Sequence, residues 1–190
     1  MLTTQFLAEK FSHAQPYDAY LASGTLEHQR RWKQVYDASQ LNENQVLLVT
    51  SFIRQMNVLI VSGTWCGDCV QQVPLIQRIG EANEQKVVIR YLDRDANKDL
   101  SEQLTINGGA RVPTAIFMSE DFEFCALAGD RTLSRYRAIA GKQLGAACST
   151  GIVPPDQSEQ EQTLQDWLNE FERVQLMLRL SPRLRQKYGD

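Results

Sequence analysis

The feature that most restricts the fold is one run, NVLIVSGTWCGDCVQQVPLIQRIG, residues 57–80. Its first third is continuously apolar, which suits a strand buried on both faces. Beyond the cysteines, Val70, Val73, Ile76 and Ile79 recur at helical spacing. A strand that passes straight into a helix begins an α/β sheet, and the following segments continue it. KVVIRYLDRD predicts a second strand ending in acids, and NKDLSEQLTINGG a short helix that stops at the glycines. VPTAIFMSEDFEFCALAGD predicts a hairpin turning at SED, and TLSRYRAIAGKQLG a closing helix. The order β-α-β-α-β-β-α implies an α/β fold with a mixed sheet and helices on both faces.

The flanks read as helical. In GTLEHQRRWKQVYDAS, Thr25 is a capping residue, and Trp32, Val35, Tyr36 and Leu26 make one apolar side. LNENQVLLVTSFI predicts a second helix starting near Asn42 or Asn44, with Val46, Leu47, Val49, Phe52 and Ile53 as buried positions. Residues 1–56 are too few to build much core alone, so they are expected to pack as an extension on a main domain of residues 57–147. In the remaining segment, residues 148–190, CSTGIVPPDQ reads as a linker because Pro154 and Pro155 exclude helix. SEQEQTLQDWLNEFERVQLMLRL then places Leu164, Trp167, Leu168, Phe171, Val174 and Leu178 on one stripe, expected to dock on its own domain. Ser158 and Glu161 have capping-box spacing, and Arg173, Arg179, Arg183 and Arg185 gather where a helix C-terminus favours positive charge.

Composition narrows the function. Hydrophobic residues make up 43% and charged residues 23%, so the chain is neither disordered nor fibrous. A formal net charge of −3 provides no field that would gather nucleic acid. No apolar run approaches the roughly 20 residues of a membrane span. The start, MLTTQFLAEKFSHAQPYD, carries acids and a histidine where a signal peptide keeps a clean apolar run, so the expected location is cytoplasmic. In that reducing setting the four cysteines, Cys66, Cys69, Cys125 and Cys148, point to catalysis or metal binding rather than to a disulfide framework.

Cys66 and Cys69 admit three readings: a redox pair, half of a zinc site, or two core residues. A helix beginning at CGDC puts Cys66 at its N-terminus, where unpaired N–H groups and the macrodipole favour thiolate. Cys69 lies one turn on, within reach of a mixed disulfide formed by Cys66. Trp65 would shield one side of the pair, and Pro74 would bend the helix carrying it. Zinc needs two further ligands, and Cys125, Cys148, His13 and His28 are poorly placed to supply them. Redox chemistry is the favoured reading.

Taken together, TWCGDC after a buried strand, Pro74 in the next helix, YLDRDAN, and GGARVPTAIF before the hairpin resemble the thioredoxin-like family over residues 57–144, about half the chain. The resemblance implies a thioredoxin-like fold, its central mixed β-sheet flanked by helices, here with an N-terminal helical extension and a C-terminal helix. It implies thiol–disulfide exchange, with Cys66 as nucleophile and Cys69 as the resolving cysteine. It also implies a cis Pro113 beside the sulfurs, Val112 offering backbone groups to an extended substrate, and Trp65, Gly67 and Asp68 shaping and tuning the site. Disulfide-containing proteins would be the substrates. Electrons would come from a separate donor such as a thioredoxin reductase, and no bound cofactor, metal, nucleic acid or membrane would be needed. The alternative is a redox-inactive protein-binding module that merely retains the CxxC.

Three positions depart from the family pattern: Asp68 stands where proline is usual, Ile60 where a buried acid is expected, and Tyr91 where a lysine is expected. Asp68 has a structural reading, as an acid in a first helical turn worth about 0.3–1 kcal/mol. Functionally, its charge would raise the Cys66 pKa, make the pair more reducing, and let it carry the Cys69 proton. Cys125 is expected to be a small core residue, Cys148 an exposed one, and DRDAN the end of a strand rather than a calcium loop.

Overall fold

The computed structural model describes residues 2–144 and 158–190. The expected CSTGIVPPDQ linker, with Cys148, lies outside the described residues. Four helices precede the sheet: α1 (Thr4–His13), α2 (Tyr17–Ala22), α3 (Leu26–Ala38) and α4 (Glu43–Thr50). The side-chain oxygens of Thr3, Thr25 and Asn42 cap α1, α3 and α4, accepting the N–H groups of Phe6, His28 and Gln45 that the first turn leaves unpaired. The chain then alternates β1 (Met56–Ser62), α5 (Gly67–Glu81), β2 (Val87–Asp93) and α6 (Lys98–Ser101). It ends with β3 (Thr114–Ser119), β4 (Phe124–Gly129), α7 (Leu133–Leu144), α8 (Glu159–Leu180) and α9 (Pro182–Tyr188).

The strands form one mixed sheet in the order β2-β1-β3-β4, with β1 parallel to β2 and the other two pairings antiparallel. Central β1 is buried along its whole length, as its unbroken apolar run requires. Gln15, between α1 and α2, exchanges two backbone hydrogen bonds with Tyr91 at 2.9 and 2.8 Å and so covers part of the outer edge of β2. Tyr17 and Tyr20 of α2 pack on Tyr91, and Trp32 of α3 closes the aromatic cluster. The six stripe residues of α8 are all buried, with Phe171 set edge-on to Phe117 of β3 at 5.1 Å. Among the described residues, no helix is long and apolar enough to cross a membrane.

Several local expectations change. Helix α4 stops at Thr50, so Val49 and Phe52 are buried while Val46, Leu47 and Ile53 face outward. An eight-residue helix presents one narrow face. Leu26, at the first turn of α3, is 83% exposed. Helix α6 has four residues and ends well before the glycines, where Asn107 and Gly108 take positive φ in a separate turn. The C-terminal helix breaks at Ser181, because Pro182 opens a new helix. Arg183 then pairs with Asp121, and Arg185 bonds the Asp190 carbonyl at 2.9 Å, so neither caps α8. Cys125 lies half-buried on the edge strand β4, its thiol against the Glu123 carbonyl, rather than in the core.

Candidate active site

Strand β1 delivers the chain into a tight turn, Gly63–Thr64–Trp65, which the N-terminal extension holds. Trp32 Nε1 of α3 donates to the Thr64 carbonyl at 2.9 Å, and His28 Nδ1 lies 3.3 Å from Thr64 Oγ1. Cys66 N donates to the Gly63 carbonyl at 3.0 Å, closing the turn, and Cys66 becomes the N-cap of α5. Its sulfur is half-buried, whereas Cys69, one turn on, is fully buried. Trp65 is 45% exposed at the mouth, with the Arg94 guanidinium 4.7 Å from its ring. Gly67 is exposed, and a Cβ there would meet nothing within 4 Å. Pro74 lies buried inside α5, which nevertheless runs on to Glu81.

The other wall comes from the start of β3. The Val112–Pro113 peptide is cis, and the Val112 carbonyl accepts from the Cys66 thiol at 3.7 Å. Gly129, at the end of β4, lies directly behind this turn. Its φ is +136°, and a Cβ built there would stand 2.4 Å from the Pro113 carbonyl oxygen, so only glycine fits. Gln72 of α5 fastens the β4–α7 loop to the same wall. Its Nε2 donates to the Asp130 carbonyl at 2.9 Å, and its Oε1 accepts from Thr132 N at 3.3 Å.

Environment makes the two sulfurs different acids. The Cys66 pKa is lowered to about 6, chiefly because the Cys69 thiol donates to its thiolate. Partial burial opposes this, while the Cys69 and Asp68 backbone N–H groups add to it, as expected at a helix start. Burial pushes the Cys69 thiol well above its ordinary value, and its hydrogen bond to Cys66 pushes the same way. One sulfur is therefore an accessible thiolate and the other a protected thiol.

Asp68 acts on Cys66 in the expected direction, and it also holds two elements of the site together. Its Oδ2 accepts from Arg131 Nε and Nη2 at 2.9 and 2.7 Å, and its Oδ1 from Arg135 Nη2 at 2.9 Å. Burial raises its carboxyl, but the two guanidinium groups outweigh that and hold it below the usual carboxylate range. A carboxylate kept ionised by two cations is a poor proton carrier, and its charge is only the smallest of the influences on Cys66. It ties α5 to the start of α7 instead. Nothing local in the sequence marks Arg131, Arg135 or Gln72, since Arg131 precedes α7 and meets Arg135 only through the Asp68 carboxylate. Ile60 and Tyr91, at the two other departing positions, are register partners buried in the sheet, and the Tyr91 hydroxyl donates to Gln77 Oε1 at 2.7 Å. No group of three or more His, Cys, Asp or Glu residues among those described is arranged to hold a metal ion.

The family model described as thioredoxin matches residues 14–133. Among solved structures, a protein of unknown function from Pseudomonas aeruginosa matches with a TM-score of 0.67 at 16% identity, over 88% of this chain and 97% of its own. A crystal structure of an HIV epitope scaffold matches with the same TM-score and identity, over 87% of this chain and 97% of its own. At that identity the likeness concerns the fold alone.

Proposed function

The chain belongs to the thioredoxin family, and on that premise we propose that it is a thiol–disulfide oxidoreductase acting mainly to reduce disulfides. The observation that carries this reading is the asymmetry of the cysteine pair. Cys66 is reachable and has its pKa lowered to about 6, while Cys69 is buried and protonated one helical turn behind it. The Cys66 thiolate attacks a substrate disulfide, one substrate sulfur leaves, and a mixed disulfide forms. Cys69 then attacks the Cys66 sulfur, the mixed disulfide breaks, and the second substrate sulfur departs. The Val112 carbonyl, beside the Cys66 sulfur, is placed to accept from the backbone of an extended substrate segment. A separate reductase, of the thioredoxin reductase type, would return the pair to the dithiol.

The reduction potential is the quantity to measure. Asp68 alone suggested a more reducing pair, but the Cys69 thiol and the helix start stabilise the Cys66 thiolate and so favour the reduced form. The reference for a cytosolic reductase is thioredoxin's roughly −270 mV. Purified protein equilibrated in dithiothreitol buffers, alkylated and analysed by peptide mass spectrometry would report the potential of the pair. A reversible Cys66–Cys69 transition near that value supports a reductase. A midpoint around −120 to −180 mV would make it an oxidase or isomerase instead. Failure to form the disulfide at any potential would leave only a binding module.

A further inference from the structure

Ser62, the last residue of β1, is fully buried, yet its Oγ has no hydrogen-bond partner among the described residues. The Tyr20 hydroxyl, on α2 of the N-terminal extension, is equally isolated although the residue is only 1% exposed. A buried hydroxyl without a partner is costly, so two together need a reason. The face they share leads to the buried sulfur: Tyr91 bonds Gln77 of α5 at 2.7 Å, and Cys69 stands eight residues before Gln77 on the same side of that helix. Ser62 follows Ile60 by two residues and so shares its face of β1, and its register partner is Asp93 at the end of β2. Tyr20 stacks on Tyr91, the partner of Ile60, at 5.7 Å and 22°, which carries its ring over that face. The hydroxyl of Ser62 favours ionisation of both its neighbours, Cys69 on one side and Tyr20 on the other, and Tyr20 in turn feels the charges of Cys69, Asp93 and Cys66.

We propose that Ser62 is a catalytic hydrogen-bond donor to the Cys69 sulfur as that sulfur becomes an anion, and that Tyr20 positions it. This rests on the exchange reaction proposed above. In the resolving step Cys69 must attack as a thiolate from a site that burial makes hostile to charge. Ser62 Oγ–H turns onto the developing thiolate, and the Tyr20 hydroxyl donates to the Ser62 oxygen so released. Neither hydroxyl makes a well-formed hydrogen bond in the neutral dithiol, and Ser62 favours the ionised sulfur, so the stabilisation is greater in the transition state than in the resting dithiol. The Cys66–substrate bond breaks as the Cys66–Cys69 bond forms, and the electron pair leaves on the substrate sulfur. The proton given up by Cys69 ends on that sulfur or in water. The titratable groups facing this step are Cys66 on α5, Tyr20 on α2 and Asp93 on β2; Asp68 is held by Arg131 and Arg135. The N-terminal extension thereby supplies part of the reaction centre.

The test is a single-turnover reaction of the full chain with dithiobis(nitrobenzoate). With Cys125→Ser and Cys148→Ser in place so that no other thiol consumes the reagent, the first released thiolate reports attack by Cys66 and the second reports resolution by Cys69. In Ser62→Ala the first phase is expected to be unchanged. The second should slow about tenfold at neutral pH, the loss of one hydrogen bond to an anion, and recover as pH rises and Cys69 ionises without help. Tyr20→Phe, which keeps the stacked ring, should show a smaller loss with the same recovery. It also serves as the test if Ser62→Ala fails to fold. A second phase equal to wild type across pH in a folded variant overturns the proposal and leaves the exchange reaction standing. A wild-type chain that releases no second thiolate overturns the exchange reaction itself.

Discussion

A free thiol gives up its proton at roughly 8.5, whereas Cys66 does so at about 6. The rate of its alkylation by iodoacetamide should therefore rise through about pH 6 and be nearly level by pH 8. Cys69 should resist the reagent throughout that range, because burial raises its pKa and blocks access. A Cys66 midpoint above pH 8 would remove the thiolate on which the reading depends. Asp68→Asn takes away a charge that opposes the Cys66 thiolate, so the midpoint should fall further, not rise. The same change leaves Arg131 and Arg135 without their shared carboxylate and should lower stability by about 1–2 kcal/mol in denaturant titrations. An unaltered unfolding midpoint would mean that the tie from α5 to α7 carries no energy. The two cysteines were legible in the sequence as a pair with Cys66 the more acidic, but how far apart their acidities lie was not. Burial by residues distant in sequence sets the Cys69 side of that difference, while the Cys66 side is set within α5.

The β1–α5 unit was legible as an element because strand and helix each left their own period in the sequence. Its partners across the site were less so. VPT marked Pro113 only through a family resemblance, and nothing local marked Gly129, whose role comes from the close approach of β4 to the Pro113 carbonyl. Gly129→Ala is expected to lower stability by about 1–3 kcal/mol and to weaken substrate turnover by displacing the Val112–Pro113 wall. The Cys66 alkylation midpoint should move little, since its main causes lie within α5. An alanine variant with wild-type melting temperature and turnover would show that the loop yields without cost. The ends of α4 and α6 were misjudged for one reason: hydrophobic spacing marks which residues could be buried, while where a helix stops depends on what packs beside it.

At the scale of the whole molecule, the helices added before and after the central sheet are structural parts of it. Helix α8 buries a continuous stripe and holds Arg54 through Gln175, whose Oε1 accepts from Arg54 N at 2.9 Å and whose Nε2 donates to Arg54 O at 3.0 Å. Phe171→Ala empties the edge-on contact with Phe117 and should cost about 3–5 kcal/mol, read as a shift in the urea midpoint with an unchanged slope. A loss below 1 kcal/mol would mean that α8 is only loosely docked. The stripe was visible beforehand, but the surface it covers was not.

By itself the sequence determined the alternation of strand and helix, the buried central strand, the cysteine pair at a helix start and the amphipathic C-terminal helix. All of these are local, set by side-chain period and by the few residues that cap or break a helix. Only the tertiary structure decided that Asp68 faces two arginines, that Gln72 clamps the loop behind Pro113, and that Ser62 and Tyr20 leave two hydroxyls beside Cys69. Those contacts join residues up to 67 positions apart, as between Asp68 and Arg135. Charge and hydrogen bonding act through space, so their partners are fixed by packing and not by order along the chain.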